Sequence, residues 1–353
     1  MKLDATLAKE FKEDIADALP KDVIQSFEGK TILILGGSGF LGSLYKLFFI
    51  FCNNEKIFSN PCKIISIDNY IKGTLSINDE TKDDNLENIN HDLNTPLGLK
   101  LHNKKIDFII NCSGNASPQQ YEKYPLETMD ISSVGAKYAL ELALNHGAKI
   151  LNFSSSEVLG TPEDKDIPTT EDCIPKIHSL NKRAPYDIGK LFIEGLNWTF
   201  KYKYNLDCKV VRPFNVIGRF HKNDYRVIPN YLNKLFNNEK IQVYKPGTQT
   251  RTFCYYTDFL VGTILVLIKG ENLLYHIGNS DNEISMHELA LKMEKIVGRT
   301  DLVELIETPE VYKHEPRRRC PSVEKAKQEL NYQPKIQLDD ALNRIYNWAK
   351  NTY

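Results

Sequence analysis

Apolar and polar positions divide this chain into short buried-type runs that alternate with helical patterns. Leu7, Phe11, Ile15 and Leu19 recur at helical spacing and Pro20 stops them, which predicts an amphipathic helix ahead of the main fold. That helix is expected to pack on the body or on a partner subunit, with no chemistry of its own. Thr31–Leu35 (T-I-L-I-L) is short, rich in β-branched residues and free of charge, the pattern of a strand buried on both faces. A helical pattern opens at Phe40, with a first crossover helix expected over 43–51 and a polar insertion at 53–61. The buried-strand pattern returns at 63–67, 106–111 and 149–153, while 126–146 reads as one long helix. Alternation at this spacing predicts an α/β fold with a Rossmann-type, doubly wound parallel sheet. Ligand then binds at the strands' carboxyl ends, so the segments after Leu35, Ile67, Asn111 and Phe153 should share one crevice.

The junction after the first strand carries the strongest local signal. Gly37, Gly39 and Gly42 fit G-x-G-x-x-G, and Gly36, Gly39 and Gly42 fit the wider G-x-x-G-x-x-G, with Phe40 and Leu41 opening the helix. Either spacing gives a tight turn, bare backbone against a pyrophosphate, and phosphate at a helix N-terminus. Asp68, followed by Asn69, ends the second strand, where an acid accepts from the adenosine ribose hydroxyls and repels a 2′-phosphate. NAD is therefore expected over NADP. Asp92 either holds the adenine amino group or caps a turn.

Composition narrows the partners. In 353 residues, 26% are charged and the net charge is −1, so no basic field exists to hold nucleic acid. The seven cysteines are odd in number and scattered without C-x-x-C, and the eight histidines show no ligand spacing. Neither a disulfide frame nor a metal site is expected. No run is apolar and long enough for a membrane span or a signal peptide, so a cytoplasmic protein is expected.

Candidate chemistry follows the later strands. Ser154-Ser155-Ser156-Glu157 leaves a strand directly and faces the crevice. Tyr186 and Lys190 lie four apart in Y-D-I-G-K, which places both on one helix face. A lysine and an oxidised nicotinamide together favour phenolate. Moving a tyrosine from about 10 to near 7 takes roughly 4 kcal/mol, within reach of two such charges.

With these motifs in order, the chain resembles the extended short-chain dehydrogenase/reductase family of nucleotide-sugar enzymes. The resemblance runs from about Lys30 to the C-terminus through G-G-S-G-F-L-G, S-S-S-E-V-L-G, Y-D-I-G-K, V-R-P-F-N-V-I-G-R, R-T-F-C-Y-Y-T-D and Y-H-I-G-N-S. Within the family, A-S-P-Q-Q-Y, K-R-A-P-Y-D-I-G-K, Q-V-Y-K-P-G-T-Q-T-R-T-F and E-P-R-R-R-C-P-S-V are most similar to UDP-glucuronate decarboxylases. The resemblance implies that Ser155 and Tyr186 bind a sugar hydroxyl whose proton Tyr186 removes, and that Lys190 holds the nicotinamide ribose. It implies Glu157 and Arg319 for decarboxylation, and substrate contacts from Ser117, Tyr121, Ser156, Asn215, Arg226, Val227, Tyr244, Gln249, Arg251 and Arg319.

The implied reaction is oxidation of UDP-glucuronate at C4, loss of CO₂ from the β-keto acid, and hydride return to give UDP-xylose. The enolate calls for cationic stabilisation and for a proton donor at C5. A 4,6-dehydratase carries Asp-Glu after the catalytic hydroxyl, whereas this chain has Ser156-Glu157; a plain C4 epimerase/dehydrogenase needs no carboxylate there. These remain the alternatives, with a non-catalytic NAD-binding protein behind them. Three departures stand out: Leu159 in place of Tyr, Ser322 in place of Asp, and Asp130 where animal-type enzymes carry a substrate-contacting Lys. The expected organisation is a helical extension (1–29), an NAD-binding lobe (30–205, with returns near 206–220 and 251–263) and a mainly substrate-binding lobe (221–353). The family's dimer helices correspond to 126–146 and 185–202, so a homodimer is expected.

Overall fold

Runs that read as doubly buried strands form the middle of a parallel sheet. The computed structural model describes residues 3–71, 81–96, 101, 103–219, 226–309 and 316–351. Strands β1 (Thr31–Leu35), β2 (Lys63–Asp68), β3 (Leu86–Asn90), β4 (Phe108–Asn111), β5 (Lys149–Phe153) and β6 (Cys208–Pro213) are joined by Leu274–Ile277. Their order is Leu274–Ile277, β6, β5, β4, β1, β2, β3, with every pair parallel. After β1 the chain builds outward through β2 and β3, then returns to place β4 on β1's other side. That reversal opens a crevice at the carboxyl ends of β1 and β4.

Three elements differ from the sequence reading. The edge strand β3 (L-E-N-I-N) was not expected; it is half-exposed, so its side chains lack the apolar run that marks a central strand. The first crossover helix opens at Phe40, where the helical pattern begins, but runs beyond the expected 43–51 to Asn54. The segment 126–146 is one continuous helical run, as expected, but it carries a π turn that the pattern does not show. It comprises Pro125–Asp130, a π turn at Ile131–Gly135 and Ala136–His146, closed by Gly147 in the left-handed region.

The N-terminal helix packs on its own chain. Ala5–Glu10 passes into a π turn at Phe11–Ala16, and Leu7, Phe11 and Ile15 are fully buried. Phe11 meets Phe48 and Phe51 of the first crossover helix and the ring of Tyr256. Its last residue, Glu10, is buried and accepts from Arg219 Nη2 at 2.5 Å, from the Tyr255 hydroxyl at 3.0 Å, and from Tyr256. A buried carboxylate with three donors ties the extension to the end of the Val216–Ile217 strand and to Cys254–Tyr255, which pair in parallel.

Beyond the sheet, Val227–Phe236 and Met286–Ile296 pack on a parallel pair, Ile241–Tyr244 with Val303–Ile306. A small sheet sets Thr250–Thr252 between antiparallel Glu283–Ser285 and parallel Arg318–Arg319. Among the described residues, no helix is long and apolar enough to cross a membrane.

Because Arg219 is itself buried, losing Glu10 leaves its charge only the half-exposed Asp4 at 3.7 Å. Glu10→Ala should cost about 3–5 kcal/mol in urea unfolding, as breaking a buried ion pair does. Glu10→Gln, which keeps hydrogen-bonding atoms, should cost less.

Candidate active site

The glycine loop is built for close backbone approach. Gly36 takes φ +75°, and its N–H donates to the Ile67 carbonyl at 2.8 Å, so the turn leans on β2. At Gly42, a Cβ would stand 2.2 Å from the Gly36 carbonyl oxygen, so only glycine lets the helix start this close to the loop. Phe40 and Leu41 form the first turn of that helix, with Gly39 as its N-cap. Asp68 closes the loop: its carboxylate accepts from Ser38 N–H at 3.0 Å and Tyr70 N–H at 2.9 Å. Each oxygen keeps acceptor capacity for a further donor. This backbone cradle, the helix N-terminus and the acid at the end of β2 fit a dinucleotide's pyrophosphate and ribose. Asn69 accepts from Ile71 N–H at 3.2 Å beside them. Asp92 is exposed and accepts from Asn94 N–H at 3.0 Å, the turn-capping one of its two readings.

Polar side chains in the sheet set the register of the next element. Asn111 on β4 donates to Asn152 on β5 at 2.8 Å, and Asn152 donates to Asn197 of the Ala184–Tyr204 helix at 2.9 Å. All three are buried, so the helix has one satisfied position over the strand ends. Ser154 donates to Glu194 of the same helix at 2.5 Å, and Arg212 on β6 grips Glu194 at 2.8 and 2.7 Å. Tyr186 and Lys190 are thereby held where β5 ends.

There the predicted catalytic residues meet. Ser155 is hydrogen-bonded to Tyr186, and its hydroxyl also accepts from Glu157 N–H at 3.2 Å. Tyr121 stacks on Tyr186 with ring centroids 5.3 Å apart. Ser156 is buried in the turn after Ser155, and Ser117 is buried where the Pro118–Lys123 helix begins. Lys190 Nζ donates to the Phe153 carbonyl at 2.8 Å and lies 5.8 Å from the Tyr186 ring centre.

Burial raises Tyr186 to about 12; the Ser155 hydroxyl is the largest influence lowering it, with Arg226 a smaller one. Lys190's ammonium gives one of its three N–H donors to a backbone carbonyl, and burial brings it down to about 8.

Glu157 is the electrostatic centre. Arg319 donates to one of its oxygens and Arg183 to the other. Burial opposes ionisation, but Arg319 and then Arg183 overcome it and hold Glu157 at about 2, with Arg251 adding to the effect. Arg251 itself donates to the carbonyls of Thr250 at 2.8 Å and Pro316 at 2.9 Å.

The remaining expected substrate residues ring this centre less tightly. Asn215 takes φ +39° and donates to the Thr252 carbonyl at 2.8 Å. Arg226 precedes Val227 at the start of the Val227–Phe236 helix, both half-buried. Gln249 donates to the Tyr244 carbonyl at 3.3 Å. Of the departures, Leu159 packs with Val158 and Phe214, Ser322 N–H bonds the Thr169 carbonyl at 2.7 Å, and Asp130 is exposed. Sequence reasoning missed Arg183 and Asp187; their four-residue spacing inside R-A-P-Y-D was the available signal. No group of His, Cys, Asp or Glu among the described residues is arranged to hold a metal ion.

Comparison with known proteins agrees with this geometry. The model of the NAD dependent epimerase/dehydratase family matches residues 32–278. UDP-glucuronic acid decarboxylase 1 of Danio rerio is 30% identical over 331 residues, covering 93% of this chain and 75% of the relative. UDP-glucuronic acid decarboxylase 3 of Arabidopsis thaliana is 32% identical over 314 residues, covering 88% and 86%. Among solved structures, the UDP-glucose 4-epimerase of Thermotoga maritima aligns with a TM-score of 0.79 at 21% identity, over 91% of this chain and 99% of that one. The UDP-glucuronic acid 4-epimerase of Bacillus cereus, in complex with UDP-glucuronic acid and NAD, gives 0.77 at 22%, over 92% and 100%. With its glycine cradle, Ser–Tyr–Lys set and parallel sheet, the chain belongs to the NAD-dependent epimerase/dehydratase family of extended short-chain dehydrogenases/reductases.

Proposed function

We propose that this protein decarboxylates UDP-glucuronate to UDP-xylose, supplying a pentosyl donor for glycan assembly. The observation that carries the reading is Glu157, kept ionised between Arg319 and Arg183 directly beside the Ser155–Tyr186 pair. Epimerisation needs no such ion pair, whereas loss of CO₂ develops negative charge that a fixed guanidinium stabilises. The relatives named UDP-glucuronic acid decarboxylase support the same choice.

Tyr186, with Ser155 as its hydrogen-bond partner, takes the proton of the 4-hydroxyl as C4 becomes a ketone and gives it back at the end. NAD held by these residues would supply the acceptor and then the donor for the C4 hydride, and its oxidised nicotinamide would favour ionisation of Tyr186. Arg319 stabilises the enolate left by CO₂, and the C5 proton comes from solvent water positioned by the Glu157–Arg319 pair, one proton being taken up for each CO₂ released. Gly36–Gly42 and Asp68 hold the pyrophosphate and adenosine ribose. Arg226, Tyr244, Gln249 and Arg251 hold the nucleotide half of the substrate, across the division between an NAD lobe and a smaller substrate lobe.

We also assign this protein to the cytoplasm as a homodimer. Leu126, Met129 and Val134 lie exposed on one helical segment, and Phe192, Trp198 and Tyr202 on the Ala184–Tyr204 helix, a quantity of apolar surface that a second copy would cover. Sedimentation should give a two-chain particle, and Trp198→Glu should shift it towards one chain.

Incubation with UDP-glucuronate should release CO₂ with a matching loss of product mass, and Tyr186→Phe should lower kcat by at least a hundredfold. An altered sugar of unchanged mass would instead favour the epimerase reading. Because hydride leaves and returns within one cycle, NAD should survive purification. Gly42→Ala, which sets a methyl group 2.2 Å from the Gly36 carbonyl, should yield protein without it by absorbance and extraction.

A further inference from the structure

The crevice contains a second carboxyl that the steps above leave unused. Asp187 follows Tyr186 on the same helix and is 8% exposed. Its Oδ2 lies 3.8 Å from Arg183 Nε, and the same guanidinium donates from Nη2 to Glu157. Its Oδ1 is buried with no hydrogen-bond partner among the described residues. One guanidinium is thus divided between two carboxyls, only one of which has a second guanidinium, that of Arg319.

The groups facing Asp187 are Arg183 on its own helix, Glu157 from the turn after β5 and Arg319 from the Arg318–Arg319 strand. Tyr121 and Tyr186 lie within its field as well. Burial, then the Glu157 charge, raises Asp187 to about 7 against the pull of Arg183 and Arg319. Two carboxyls driven this far apart divide acid and base states between them.

We propose that Asp187 is a positioning residue, which by holding a proton leaves Arg183 to Glu157 and by losing it competes for that guanidinium, loosening the grip of Glu157 on Arg183. Its ionised form also adds a negative charge beside the place of an anionic sugar. The neutral form is therefore the working one.

The sign is fixed by linkage. Unfolded, Asp187 loses its proton near the ordinary aspartate value of 3.8; folded, it keeps the proton to about 7. Asp187 therefore makes stability fall as pH rises from about 4 to about 7, and the loss is constant above that. Thermal melts of the NAD-bound protein from pH 4 to 9 should show the Tm of Asp187→Asn gaining on wild type across this window. In a Glu157→Gln background the gain should move to lower pH, because the repelling charge is gone. A pH-independent difference, or one unmoved by Glu157→Gln, would overturn the proposal, and neither measurement needs a substrate.

The kinetic arm rests on the decarboxylase reading. For UDP-glucuronate, wild-type kcat/KM should fall about tenfold between pH 6 and 8, and Asp187→Asn should lose that limb while keeping bound NAD. A uniform drop with the limb intact would mean a merely structural role. No turnover of UDP-glucuronate by wild type would sink the substrate reading, and the melts would still decide the role of Asp187.

Discussion

A single carboxylate joins the distant parts of this site. Glu157 bonds Arg319 through one oxygen and Arg183 through the other, closing contacts across 162 and 26 residues of sequence. A partly buried charge is held best when paired, so each segment is tied to the others by the cost of separating them. The three segments are also anchored independently. Glu157 lies in a turn capped by Ser155, Arg183 stands at the entry to the Ala184–Tyr204 helix, and Arg319 is on a strand paired with Thr250–Thr252. Arg251 lies in that central strand, so the same small sheet brings two arginines towards one acid.

Beneath the ion pairs runs a layer of neutral polar contacts that sets where the helix can sit. The Asn111–Asn152–Asn197 ladder and the Ser154–Glu194–Arg212 cluster would be left unsatisfied by a slip of the helix along the strand ends. Tyr186 and Lys190, one turn apart, inherit that register. This explains why their mutual geometry differs from a simple pair: Lys190 reaches the Phe153 carbonyl, leaving Ser155 as the direct partner of the phenol. Lys190 Nζ also lies close to the segment after β4, where a Cβ on Gly114 would stand 3.4 Å from it.

Much of the fold was legible because buried parallel strands have no alternative pattern. T-I-L-I-L, K-I-I-S-I and K-I-L-N-F each bury both faces, and the residues that follow them reach one crevice. The glycine loop was legible because its spacing encodes a steric demand, seen at Gly42. Where polar residues suffice for an edge strand, as in L-E-N-I-N, sequence carried no signal. A run of helical periodicity likewise cannot reveal the π turn inside the 126–146 helix.

By itself, then, the sequence determined the parallel sheet, the dinucleotide loop and the order of Ser155, Tyr186 and Lys190. Periodicity and short-range spacing are properties of neighbouring residues. Only the tertiary structure decided that Arg183 shares its guanidinium between Glu157 and Asp187, that Tyr186 answers to Ser155 more than to Lys190, and that Glu10 locks the first helix onto Arg219. Each of these is a charge or proton balance among groups far apart in the chain. Such balances depend on burial and on distances of a few ångströms, which exist only once the chain has folded.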